Sequence, residues 1–204
     1  MGMHSSFIII QGNQLETLPE VFPYFKYFPT GAPQRIIGWK TVLDKTRFPA
    51  KGKPNTIVYK AACYLNNWTI VYDPEMLMAD NETACSNISN LLGTRVFGMI
   101  CESTSNTYAY INCIGNLTRS FWIGDGEIFK DSGEKFPEEP TKRTIDEMDL
   151  VETMRRLGVN LQELEKVEDF FLFEFDESNM GASDTQNQVP VAVAQTKKPW
   201  WRFW

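Results

Sequence analysis

Thr56-Ile-Val-Tyr-Lys-Ala-Ala-Cys-Tyr-Leu65, Asn66-Asn67, Trp68-Thr-Ile-Val-Tyr-Asp73-Pro74 carries the clearest structural pattern in the chain. Two apolar runs rich in β-branched and aromatic residues flank a pair of asparagines. Asparagine tolerates the positive φ of a tight turn, so the pattern predicts a β-hairpin. Pro74 cannot donate to a ladder, so the second strand ends at Asp73.

Downstream, three more runs carry strand composition: Arg95 to Glu102, Thr107 to Ile114 and Leu117 to Ile123. The first is apolar nearly throughout and reads as a strand buried on both faces. In the second, Tyr108 and Tyr110 share one side, with Ala109, Ile111 and Cys113 on the other. Gly124-Asp-Gly126 links the third to Glu127–Lys130. Short turns between all four imply an antiparallel meander, because parallel neighbours need long crossovers. Between hairpin and meander, Asn81–Leu92 reads as a helix capped by Asp80 and ended by Gly93, with Ala84, Ile88, Leu91 and Leu92 on one face. The order is hairpin, helix, meander.

Toward the N-terminus, Phe7–Ile10 has the length of an edge strand. Leu18–Pro29 holds Pro19, Pro23 and Pro29, which forbid a long helix. Its aromatic rings are expected to lie over the core. Gln34–Phe48 fits helix or strand, and Pro49–Pro54 is a loop. Toward the C-terminus, Asp131–Lys142 is a polar loop. Thr144-Ile-Asp-Glu147 has the form of a capping box, opening a helix to Leu157 that Gly158 ends. Asn160 opens a second short helix, and Phe170–Phe175 reads as a strand of the main sheet. The expected architecture is a single α+β domain over residues 1–176, with an antiparallel β-sheet and helices packed on it. A linker rich in Ser, Asn, Gln and Ala follows over 177–196, then an aromatic-basic tail over 197–204.

The chain has 204 residues, 43% of them hydrophobic and 23% charged, enough to bury a core. Its net charge of −6 opposes general nucleic-acid binding. No apolar run reaches membrane-spanning length, and no leader pattern is present, so the expected location is the cytoplasm. Gly2 followed by Ser6 fits the loose myristoylation pattern, which is short. The N-x-S/T triplets at Asn67, Asn81, Asn87 and Asn116 are expected to go unmodified in the cytoplasm. Cys63, Cys85, Cys101 and Cys113 lack close pairing and read as reduced and buried. With His4 the only histidine, in an N-terminus expected to be mobile, neither a zinc site nor a Ser/Cys–His nucleophile is expected. No cofactor-binding motif is present.

Two local features remain. Arg95 and Arg119 lie on strands, where an arginine must reach solvent, pair with an acid or hold an anionic ligand. With Tyr108, Tyr110 and Trp122 they define a candidate ligand site on a sheet face. Asp73 and Glu102 are added to that site as nearby carboxylates, and of the acids Asp73, Glu75, Glu102 and Glu127 two are candidates to converge for acid–base or metal work, against the plainer reading of solvated surface charge or ion pairs with Arg95 and Arg119. Lys197, Lys198, Trp200, Trp201, Arg202, Phe203 and Trp204 form a tail suited to a partner protein, to its own domain or to a membrane interface.

The succession Tyr59–Leu65, Trp68–Glu75, a capped helix, Arg95, Arg119 and Pro137-Glu-Glu139 resembles that of small bacterial α+β proteins, some similar to immunity proteins encoded beside polymorphic toxins. The likeness spans Thr56 to Asp176. It implies a non-enzymatic binder of a protein, and the chain's acidity suits a basic toxin or enzyme. An enzyme or ligand binder built on the Arg95–Arg119 face, and a membrane-associated factor docked by the tail, are the alternatives.

Overall fold

The computed structural model describes residues 4–47, 56–141 and 144–179. Nine antiparallel strands form one sheet: β1 (His4–Gln11), β2 (Gln34–Ile37), β3 (Ile57–Leu65), β4 (Trp68–Tyr72), β5 (Arg95–Glu102), β6 (Thr107–Ile114), β7 (Leu117–Gly124), β8 (Glu127–Ser132) and β9 (Asp169–Asp176). Their spatial order is β2-β9-β3-β4-β1-β5-β6-β7-β8. The hairpin β3–β4 turns at Asn66 and Asn67, whose φ values of 50° and 67° are those of a primed turn. The meander β5 to β8 forms as its short turns require.

The hairpin and the meander do not touch directly. β1 lies between them, paired to β4 on one side and to β5 on the other. This corrects the edge placement expected from its length. Ser6 to Ile10 are buried at every position, facing both sides of the sheet, and such a strand belongs inside it. β9 enters the sheet beside β3, as its composition implies, and β2 covers its other edge. The segment 34–48, readable as helix or strand, is both: β2 and then α2 (Trp39–Thr46), parted at Gly38 with φ 78°.

Side-chain alternation divides the core in two. On one face Phe97, Tyr110, Phe121 and Leu172 pack under α2, α4 (Glu147–Arg156) and the 3-10 helix Leu161–Lys166. On the other, Ile8, Val71, Ile111 and Phe173 pack under α1 (Leu18–Val21), the 3-10 turn Phe22–Phe25 and α3 (Glu82–Leu92). The proline-rich stretch does lay its rings on the core: Phe22 meets Phe173 and Phe175 edge to face.

Two helix starts sit differently from the pattern reading. Asn81, not Asp80, caps α3 by accepting from the Ala84 amide. The box at α4 is Asp146 with Asp149, two residues beyond the Thr144 start. Leu91 faces solvent, and Cys85 takes the buried position beside Ala84 and Ile88. Among the described residues, no helix is long and apolar enough to cross a membrane. The loop at 49–54, most of the linker and the whole tail lie outside the described residues.

Candidate functional site

Two buried ionic clusters mark the sheet, one on each face. The first lies at the end of the meander where β5 and β7 flank Asn112 of β6. Arg95 donates from Nε to Asn112 and from both terminal nitrogens to Glu138, at 3.0 and 3.1 Å. This bidentate fork is the strong form of an arginine–carboxylate pair. The Arg95 guanidinium also lies 5.1 Å from the Phe136 ring centre. Arg119 is 1% exposed, and its Nε donates to Glu139 at 3.0 Å. Its Nη1 reaches Asp131 and the carbonyls of Ser120 and Ser132. Its Nη2 is buried with no hydrogen-bond partner among the described residues.

Below Arg119 runs a stack of rings, Phe97–Tyr110–Phe121, with centres 5.9 and 5.7 Å apart. The Tyr110 hydroxyl donates to Glu139 at 2.7 Å. Burial and the Glu139 carboxylate push the Tyr110 phenol well above its ordinary pKa. Burial works against the Arg119 cation, but its bonds to Glu139 and Asp131 outweigh that and hold its pKa up. Glu138 is held below the usual carboxylate range by the Arg95 fork.

The second cluster lies under the other face. Lys60 of β3 is fully buried and donates to Asp73 and Glu75. Asp73 also accepts from Ser6 and from the Met78 amide at 2.7 Å. The Lys60 ammonium sits 4.6 Å from the Tyr27 ring centre. Burial works against its charge, but Asp73 and Glu75 outweigh it and keep its pKa raised. Burial raises Glu75, Lys60 opposes that, and Asp73 adds to it. Tyr27 Oη and Glu75 Oε1 are both buried without partners among the described residues. The segment from Asp73 to Asp80 presses onto the sheet here because residue 98 is glycine. A Cβ there would stand 2.8 Å from the Ala79 carbonyl oxygen.

A half-open groove of about 460 Å³ lies near the β2 edge, lined by Thr30, Gly31, Gln34, Lys45, Tyr59 and Glu174, among others. Tyr59 and Thr30 donate to the two carboxylate oxygens of Glu174, at 2.6 and 3.1 Å. Lys45, on the last turn of α2, has no ion-pair partner among the described residues.

The sequence-derived site is therefore divided. Arg95, Arg119, Tyr108 and Tyr110 share one face, whereas Trp122 packs into the opposite core. Asp73 and, by alternation from Ile100, Glu102 also belong to that opposite side. A pocket joining all seven is corrected by the pleat: side chains on opposite faces of one sheet cannot meet. Two of the four acids do converge, Asp73 and Glu75, but on Lys60. Glu102 pairs with His4, which is the first residue of β1. Glu127 is exposed beside the β7–β8 turn. Sequence reasoning missed Lys60, Glu138 and Glu139. For Lys60 a signal was present, a lysine inside an apolar strand 13 residues before Asp73 and one hairpin turn away from it.

All four cysteines are free and buried. Burial pushes the Cys63 thiol up to about 12 and Cys101 and Cys113 to about 11, which disfavours the nucleophilic thiolate. Among the described residues no group of three His, Cys, Asp or Glu side chains is placed to hold a metal ion. Comparison with protein-family models, with curated proteins and with solved structures finds no match for this chain.

Proposed function

We propose that the protein is a non-enzymatic binding module that docks a basic protein on the layer formed by α4 and the 3-10 helix after it, in the manner of an immunity-type binder. The observation that carries this reading is where the charge lies. Between residues 144 and 169 stand eight carboxylates, with Arg155, Arg156 and Lys166 as the only cations. That local excess of five negative charges compares with −6 for the whole chain. Arg155 and Arg156 share the one carboxylate of Glu152, which offsets part of their charge. Glu165 and Glu168 are exposed, as is Met148 at 71%. An acidic surface with an apolar contact point steers a basic partner and gives it somewhere to bury area.

The test is affinity capture from the native source with the full chain and with a Glu165→Lys/Glu168→Lys variant. The reading expects one basic protein in stoichiometric amount, recovered less at high salt and lost with the variant. Recovery unaffected by charge reversal would overturn it. A second reading, a small-ligand binder, is favoured by the groove at Thr30 and Glu174. Ala32 also lines that groove, and an Ala32→Trp variant should abolish any thermal shift that a ligand gives the unaltered chain.

A further inference from the structure

We propose that Arg95 and Arg119 form a receptor site for an acidic peptide segment, and that Pro137-Glu-Glu-Pro140 is an internal stand-in for that ligand. The site already displays the chemistry it selects. Arg95 and Arg119 lie on strands two places apart, about 10 Å from each other, on either side of Asn112. A tight turn, Glu139 amide to Phe136 carbonyl at 3.0 Å, brings two consecutive glutamates onto them.

How the segment is held sets it apart from the rest of the sheet. Residues 134–141 make no backbone hydrogen bond to any strand among the described residues. They attach by side chains alone: Glu138 to Arg95, Glu139 to Arg119 and Tyr110, and Phe136 against the Arg95 guanidinium. That is how a short peptide sits in a receptor. Packed apolar residues in place of a buried ion pair are often as stable or more so, so stability alone does not account for these pairs. The cis occupant also leaves Arg119 Nη2 unused. A ligand with one further acceptor oxygen would satisfy it.

A segment tethered in cis competes at an effective concentration in the millimolar range. The partner's acidic segment therefore sees an occupied site until the internal one is displaced. This surface is at the far end of β5 from the Ser103–Glu147 contact of α4, so the inference stands or falls separately from the basic-partner reading.

The probe is the blocked pentapeptide Phe-Pro-Glu-Glu-Pro, titrated by calorimetry into the full chain and into full-length E138Q/E139Q. The double variant should bind the peptide at least about tenfold more tightly than the unaltered chain. A Phe-Pro-Gln-Gln-Pro control should not bind. A folded double variant that ignores the peptide, or equal affinity for both chains, overturns the proposal. So does binding of inorganic phosphate without binding of the peptide. Should the double variant not fold, Glu138→Gln alone frees the less buried Arg95. It should show the same direction of change, and no gain there overturns the proposal equally.

Discussion

The two buried clusters solve the same electrostatic problem in opposite ways. At the meander end, planar guanidinium forks meet carboxylates delivered by a loop 20 to 43 residues away in sequence. Under the other face, one ammonium serves two carboxylates that follow it by 13 and 15 residues. Arginine's fixed fork can bond several acceptors while staying flat against aromatic rings. Lysine is a point charge, so its acids crowd one another, and that crowding, added to burial, raises Glu75. The Lys60 cluster is thus a lock internal to neighbouring strands and the segment that follows them. The arginine cluster is a contact between the sheet and a separate segment.

The largest effect expected from breaking this contrast is Lys60→Met. It strands two carboxylates in a site with no replacement cation, and urea unfolding should show a loss of about 3–5 kcal/mol. Arg119→Lys comes next: an ammonium cannot span Glu139, Asp131 and two carbonyls together, and about 2–3 kcal/mol should be lost in the same measurement. Glu138→Gln, at a pair that solvent partly reaches, should cost only about 0.5–1 kcal/mol.

The pH dependence sharpens the comparison, because the two glutamates have opposite signs. Glu75 has a folded pKa above its unfolded one, so the folded chain binds more proton there. Its contribution is present at low pH and is lost as pH rises through the raised value. Glu138 has a folded pKa below its unfolded one. Its contribution is present above the ordinary carboxylate value and is lost as pH falls through the depressed value. Stability of the unaltered chain relative to Glu75→Gln should therefore fall with rising pH, and relative to Glu138→Gln it should rise. Unfolding curves between about pH 3 and 8 would show slopes of one sign if the contrast were wrong. The smallest effect is Tyr27→Phe. The hydroxyl bonds nothing among the described residues, so its removal should change stability by less than about 0.5 kcal/mol.

Much of the fold was legible because it rests on local signals. The Asn66-Asn67 turn, the short meander turns and the Asp73-Pro74 stop each act within a few residues. The pattern at Phe7–Ile10 marked a strand, but strand order depends on partners far away in sequence, and a run of four apolar residues does not name them. Arg95 and Arg119 could be singled out as arginines needing a partner. That the partner was Pro137-Glu-Glu-Pro140 could not, because a loop's landing place depends on the whole path of β8 and α4 around it.

Antiparallel strands with helices packed on them, enough apolar residues for a core, and an acidic balance all follow from the order of residues alone. Period-two alternation, turn chemistry and composition are properties of neighbouring residues, and they need no distant contact to operate. That β1 joins the hairpin to the meander, and that Lys60 is enclosed by Asp73 and Glu75, emerges only from the folded arrangement. It alone decided that two strand arginines are covered by the chain's own glutamates. Each of these is a pairing across sequence separations of 13 to 98 residues, and such pairings exist only once the sheet has assembled and water has been excluded from its faces.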